Sequence, residues 1–320
     1  VMNDMRLKFD AELAGLEIDD WYARVEEIAD EHGYFEPLGD GHCAAFLDAG
    51  TDLLVTFEST DSIRNHNAGA EPRGFVFTKT EGWSHLAIIS DAESWFRDPA
   101  VYRYFDRLID DGFFEDFDNV LFYGAHGGGY AAAAYSVAAP GCTVFAVRPQ
   151  ATLDPRIAGW DSRYVDQRRL NFSDRYGYAP DMIDAANHAY IAFDPQQRFD
   201  AIHAAMFTRA NVTALRCTGL GNRPEKALDA MEVLDDLLIS AMGKSLDEVE
   251  FSDAMRARRE YVPYLRTLYS QMIKTGHPIL AANVCAFVLR QGDDNFFSKK
   301  LKELKDEGHK PSRPLKVSAA

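Results

Sequence analysis

The stretch Val120-Leu121-Phe122-Tyr123-Gly124-Ala125-His126-Gly127-Gly128-Gly129-Tyr130, continuing as Ala131-Ala132-Ala133-Ala134, decides how this chain folds. Four large apolar residues in a row suit a strand buried on both faces, because a half-exposed strand would alternate. The glycines permit a tight turn and a close approach of the next element, and the alanines favour a helix of small side chains laid on a sheet. Downstream, residues 143–147, 190–193 and 212–217 read as further strands, with helices between and after them. This alternation predicts an α/β fold with a mostly parallel central sheet and helices on both faces.

Upstream, a helix is expected over 19–32, with Asp19 or Asp20 as its cap and Trp21, Val25 and Ile28 on one face. Runs 33–38, 42–47 and 53–57 are split by Gly39-Asp40-Gly41 and Ala49-Gly50-Thr51-Asp52, which suggests an antiparallel edge of short strands. Residues 75–77 and 86–89 read as two more strands, and 99–110 as a helix. Residues 151–188, rich in Asp, Arg, Tyr and Pro, read as a long excursion of the kind that forms a lid or wall. Beyond Gly243 only helices are expected: 247–268, a break at Gly276-His277-Pro278, then 279–289 and 295–305, with a tail that frays after Gly308. The chain therefore divides into a helical brace (1–33), an α/β domain (34–243) and a helical C-terminal extension (244–320). From Lys299 onward seven Lys or Arg stand against three acids, the reverse of the rest of the chain.

With 320 residues, 47% hydrophobic and 12% aromatic, the chain can bury one or two large cores. A formal charge of −16, from 50 acidic and 34 basic residues, repels phosphate backbones and argues against nucleic acid as a partner. Cys43, Cys142, Cys217 and Cys285 show no C-x-x-C spacing, which fits reduced thiols in a cytoplasmic protein. No basic flank precedes an apolar run near the start, so no signal peptide is expected. Residues 119–147 carry no Asp, Glu, Lys or Arg, but Gly127-Gly128-Gly129 and Pro140-Gly141 break them into pieces too short to cross a membrane. The acids between Asp110 and Asp118 lack a histidine and alternate with Phe113, Phe114 and Phe117, so they read as an amphipathic connection; no metal and no cofactor is expected.

Gly124-Ala125-His126-Gly127-Gly128 resembles the nucleophile elbow of the α/β-hydrolase superfamily, G-x-S-x-G, in which a sharp strand-to-helix turn lifts one side chain above the sheet edge. The resemblance spans about residues 34–243 and implies that family's fold. At the nucleophile position, where the family has Ser or less often Cys or Asp, stands His126, and an acyl-imidazole is labile. The resemblance places the triad acid after the strand 190–193, where Asp200 or Asp194 qualifies, and the triad base after the last strand, where Asn222 stands. It also implies that Glu58 and Ser59 line the pocket with Gly127 and Gly128. The triad is then degenerate, and the expected function is a non-hydrolytic protein that binds a small-molecule ligand or a protein partner, with homo-oligomerisation left open. The alternative is an active hydrolase-like enzyme in which His126 is a general base oriented by Asp200 or Asp194.

Two other readings of the glycines stay open. His126-Gly127-Gly128-Gly129 matches the oxyanion string of lipase-like esterases, although no G-x-S-x-G follows it. The same residues could cradle a phosphate at a helix start, although the G-x-G-x-x-G register and a P-loop Lys are missing. Arg64-Asn65-His66-Asn67 reads as a surface loop or a cover for the pocket, Trp95 and Phe96 as core anchors or an aromatic wall, and Asp154 as a cap or turn residue.

Overall fold

A computed structural model describes residues 6–312 of the chain. Its centre is an eight-stranded sheet with the order β1-β2-β4-β3-β5-β6-β7-β8. The strands are β1 (Gly33–Pro37), β2 (His42–Leu47), β3 (Asp52–Ser59), β4 (Ser84–Ser90), β5 (Asn119–Ala125), β6 (Thr143–Val147), β7 (His188–Phe193) and β8 (Val212–Arg216). β2 runs against both of its neighbours, and every pairing from β4 through β3, β5, β6 and β7 to β8 is parallel. The fold is thus of the expected α/β class: a mostly parallel sheet covered by helices, with a helical C-terminal region.

Burial follows position in the sheet. All of β4 and β6 is buried, as continuous apolar runs require when helices cover both faces, whereas the edge strand β8 buries one residue in five. The helix Gly127–Tyr135 is buried along almost its whole length. Its Tyr130 and Tyr135 are wholly enclosed, and each hydroxyl donates to a carbonyl, of Tyr176 at 2.5 Å and of Phe96 at 2.6 Å. The helix lies this close to the sheet because of two glycines. A methyl group on Gly128 would come within 2.1 Å of the Phe57 oxygen, and one on Gly124 within 2.2 Å of the Gly128 oxygen.

Several local expectations are corrected. Residues 75–77 lie in a helix, Gly74–Thr80, and not in a strand. The physical reason is the parallel pairing of β3 with β4, which needs a crossover on one face of the sheet; helices Thr60–His66 and Gly74–Thr80 supply it. The first of these takes in Arg64, Asn65 and His66, so they form no loop over a pocket. The N-terminal helix is Ile18–His32, capped positionally by Glu17, with Asp19 and Asp20 in its first turn and Trp21, Val25 and Ile28 buried as expected. The expected single helix 247–268 is interrupted: Glu248–Ala254 runs into a tight turn at Met255–Arg259, and a new helix, Val262–Lys274, starts with Pro263 in its first turn. Proline cannot donate to the carbonyl four residues earlier, so the helix restarts there.

The chain forms two compact units, one reaching to Lys226 together with Leu234–Phe251, the other made of Ala227–Val233 and the chain from Ser252 onward. The first contains the sheet and the N-terminal helix. The second packs helices Val262–Lys274, Pro278–Gln291 and Asn295–Asp306 around Leu265, Tyr269, Ala281, Cys285 and Phe297. Residues 313–320, most of the tail expected to fray, lie outside the described residues. Among the described residues no helix is long and apolar enough to cross a membrane, and no group of three or more His, Cys, Asp or Glu side chains is placed to hold a metal ion. All four cysteines are buried and unbridged.

Candidate functional site

His126 lies between the end of β5 and the first residue of helix Gly127–Tyr135, at φ 58° and ψ −121°. A non-glycine residue held at positive φ costs about 1–3 kcal/mol and persists only where its surroundings impose the conformation. Here the backbone is fixed from both sides, with His126 N–H donating to the Val147 oxygen at 2.9 Å and the His126 oxygen accepting from Tyr130 N–H at 3.0 Å. Strain of the same kind recurs beside it, at Trp95 (φ 49°), Phe96 (φ 55°) and Arg148 (φ 51°). Arg148 directly follows β6, and Trp95 meets the His126 ring edge to face, so these strained residues gather near the carboxyl ends of β5 and β6. Strained residues of this kind are known to cluster at active sites and ligand clamps.

The imidazole of His126 stands 5.0 Å, centroid to centroid, from both the Trp95 and the Tyr164 rings. Its Nε2 is sealed from solvent and has no hydrogen-bond partner, while Nδ1 lies 3.9 Å from Glu93 Oε1, too far for a hydrogen bond. Burial, and then the positive charges of Arg148, Arg163 and Arg223, push its pKa down to about 3, so the ring is neutral at ordinary pH. No hydrogen bond joins His126 to Asp200 or to Asp194.

Residues of the 151–188 excursion form the wall beside this histidine. Tyr164 touches both His126 and Trp95, and its neighbour Arg163 grips two buried carboxylates. Arg163 Nη2 donates to Asp161 at 2.8 Å and Nη1 to Asp200 Oδ1 at 2.6 Å. His203 completes the group with Nε2 3.1 Å from Asp161 Oδ2. Ala151 N–H donates to His203 Nδ1 at 3.1 Å, so the ring proton sits on Nε2 and is donated to Asp161. Burial alone would raise the pKa of Asp161, but the bonds from His203 and Arg163 outweigh it and hold the carboxyl well below its usual range.

Asp200, one of the two expected acids, is therefore occupied by Arg163 on one oxygen, while its Oδ2 is sealed and unpartnered. Asp194, the other, is spent on the backbone. Oδ2 accepts from Gly219 N–H at 3.1 Å and Gly221 N–H at 2.7 Å, and Oδ1 accepts from Gln196 N–H at 2.9 Å. It pins the loop after β8 to the end of β7. Asn222, next in that loop, is exposed and makes no hydrogen bond among the described residues. The structure thus brings the acid position and the β8 loop together, but not Asn222 with His126.

Glu58 and Ser59, expected to line the pocket, turn their side chains to local structure. The Glu58 carboxylate accepts from Thr56 Oγ1 at 2.9 Å, Asn67 Nδ2 at 2.8 Å and Arg73 N–H at 3.0 Å, and burial raises its pKa. Ser59 caps the helix Thr60–His66 by accepting from Ser62 N–H at 3.2 Å. Gly127 lies beneath the Trp95 ring, where an added methyl would sit 3.3 Å from it, and Gly128 is held against Phe57. Asp154 caps the short helix Pro155–Ala158.

Sequence reasoning missed Arg148, Asp161 and Arg163, noted His203 beside Asp200 without giving it a role, and left Trp95 an open choice. Arg148 had a usable signal, since it follows a fully apolar strand directly and strand ends are where ligands bind in such sheets. Asp161 and Arg163 had none, because nothing in an irregular segment tells which of its many Asp and Arg residues turn inward.

No family model and no curated protein matches the chain. Solved structures to which it is similar include a Pyrobaculum calidifontis esterase, at 15% identity and TM-score 0.42, covering 75% of this chain and 96% of that one. A Neisseria meningitidis capsule O-acetyltransferase is 13% identical over 63% of this chain and 92% of that one, with TM-score 0.41. The glycosylation-associated Gap123 complex of Streptococcus agalactiae is 14% identical with TM-score 0.43; the match covers 62% of this chain and 44% of that one.

Proposed function

We propose that this α/β-hydrolase-like protein binds a small molecule at the carboxyl ends of β5 and β6 without hydrolysing it through an acyl-enzyme. One observation carries this reading. The side chain at the elbow is an imidazole held neutral, with a sealed and unpartnered Nε2 and no carboxylate bonded to it, so it is neither a nucleophile with a base nor a base with an orienting acid. A general base works best with a pKa near the operating pH, and about 3 is far from that range. The remaining acid and base positions are taken by Asp194, which braces a loop, and by the exposed Asn222.

The buried polar atoms left without partners support binding. His126 Nε2, Arg148 Nε, Asp200 Oδ2 and Glu225 Oε2 are all sealed and unpaired among the described residues. Groups of this kind cost about 1–3 kcal/mol each when unsatisfied, and the adjacent pair His126 and Arg148 at the ends of β5 and β6 fits a site completed by water or a ligand.

The test is a panel of ester, thioester and amide reporters with the wild type and His126→Ala. No turnover by either protein is expected, together with ligand-induced thermal stabilisation of the wild type by members of a small-molecule library. Turnover by the wild type that disappears in His126→Ala would overturn the reading in favour of general-base catalysis.

A further inference from the structure

Most arginines near the strand ends are neutralised: Arg163 by Asp161 and Asp200, and Arg156 by Asp154. Arg148 and Arg223 are in no ion pair, although Glu225 lies within their field. Neither has an ion-pair or hydrogen-bond partner for its side chain among the described residues, and Arg148 Nε is sealed from solvent. An arginine cannot shed its charge when buried, so a donor left unpaired there calls for an acceptor from outside the chain. Arg148 is fixed in place: its backbone is held at φ 51° by a bond from its N–H to the Ala192 oxygen at 2.7 Å.

Next to Arg148 begins the helix Gly127–Tyr135, whose cap residue His126 donates its N–H to the Val147 oxygen at 2.9 Å and whose start receives no side-chain cap; the charge of Arg223 also reaches His126. The free N–H groups and dipole of the helix add to the positive potential. The neighbourhood also carries acids, however. Tyr164 feels the charges of Arg148 and Arg163 and the opposing charges of Asp200 and Asp161, and Glu225 lies within the field of Arg148 and Arg223. Carboxylates at that range repel a doubly charged group more than a singly charged one, while a flat fork of guanidinium donors matches a carboxylate well.

Resting on the binding reading above, we infer that the site takes a small organic carboxylate, a monoanion whose head is gripped by Arg148 with help from Arg223. The arginines supply the charge and the helix start supplies backbone donors.

The experiment is calorimetric titration of the full chain with benzoate, 4-hydroxybenzoate, lactate and an L-amino acid. Each is compared with its neutral amide or methyl ester, and inorganic phosphate is run in parallel. At least one carboxylate is expected to bind 10-fold or more tightly than its neutral partner and more tightly than phosphate. That preference should weaken at high salt and fall about 10- to 100-fold in Arg148→Gln. Arg223→Gln, at an exposed position, keeps the test valid if Arg148→Gln does not fold; it should lower carboxylate affinity by a smaller factor and leave the neutral compounds unchanged. If neutral partners bind as well as the acids, or if phosphate outcompetes them, the carboxylate inference falls while the binding reading stands. If no compound binds and reporters are hydrolysed, both fall.

Discussion

The middle and one edge of the same sheet treat buried polar groups in opposite ways. At the junction of β7 and β8, Asp194 is almost wholly enclosed and gives both oxygens to three backbone N–H groups. At the ends of β5 and β6, His126 and Arg148 each keep a sealed atom with nothing to bind and sit at positive φ, and Asp200 and Glu225, in the helices after β7 and β8, each keep a sealed oxygen as well. The first arrangement is a brace, complete within the chain. The second is incomplete by the same rule of hydrogen-bond accounting, and incompleteness of that kind is what a binding site in its free form presents.

The sharpest way to break this contrast is to disturb the packing that places His126. Gly128→Ala puts a methyl 2.1 Å from the Phe57 oxygen and must push the helix off the sheet. Chemical denaturation should register a loss of about 3 kcal/mol or more, at the upper end for overpacking. A loss under about 1 kcal/mol would show that the elbow is not held by this close approach.

Next in size is Asp194→Ala, which strands three backbone donors; a loss of about 2–3 kcal/mol is expected. Asp200→Asn should lose less, about 1 kcal/mol, because one of its oxygens is already unpaired and Arg163 keeps Asp161. If the two substitutions destabilise equally in the same denaturation series, Asp200 is a brace like Asp194 and the contrast disappears.

Acid sharpens it further. The folded-state pKa of His126 is about 3 against an ordinary value of 6.5, so between these values the unfolded chain takes up a proton that the native chain refuses. Stability contributed by the neutral ring is complete above pH 6.5 and is lost progressively as the pH falls toward 3. His126→Gln should therefore lose less stability than the wild type between pH 7 and 5, and ring NMR signals of His126 should stay those of a neutral imidazole at pH 5. A ring that protonates near pH 6 would contradict its sealed environment. The wholly buried His85, also held near 3 by burial, behaves alike and leaves the slope that remains in the variant.

The smallest effect is expected at Asn222. Exposed and without a hydrogen-bond partner among the described residues, Asn222→Ala should change stability by less than about 0.5 kcal/mol and leave ligand binding untouched. A large loss of binding would return this residue to the site.

Much of the architecture was legible in the chain itself. The apolar run at 120–123, the glycines and the alanines specified a buried strand, a tight bend and a close-packed helix, because each of these backbone requirements is met by few residue types. Residues 75–77 were misread because three apolar residues carry no period, and only the pairing of β3 with β4 required a crossover there. The site was less legible. His126 and its bend were visible from glycine spacing, as were Asp194 and Asp200 from the strand that precedes them, but the roles of the two acids were not: one braces a loop and the other meets Arg163.

The amino-acid order by itself determined the layered sheet and the perch on which His126 stands, since local backbone preferences and hydrophobic runs act over a few residues. Tertiary structure alone decided which polar groups are paired. Whether Arg148 is neutralised, or whether Glu58 faces a pocket or a neighbouring loop, depends on residues far away in the chain, and hydrogen-bond satisfaction in a low-dielectric interior is settled only once those partners meet.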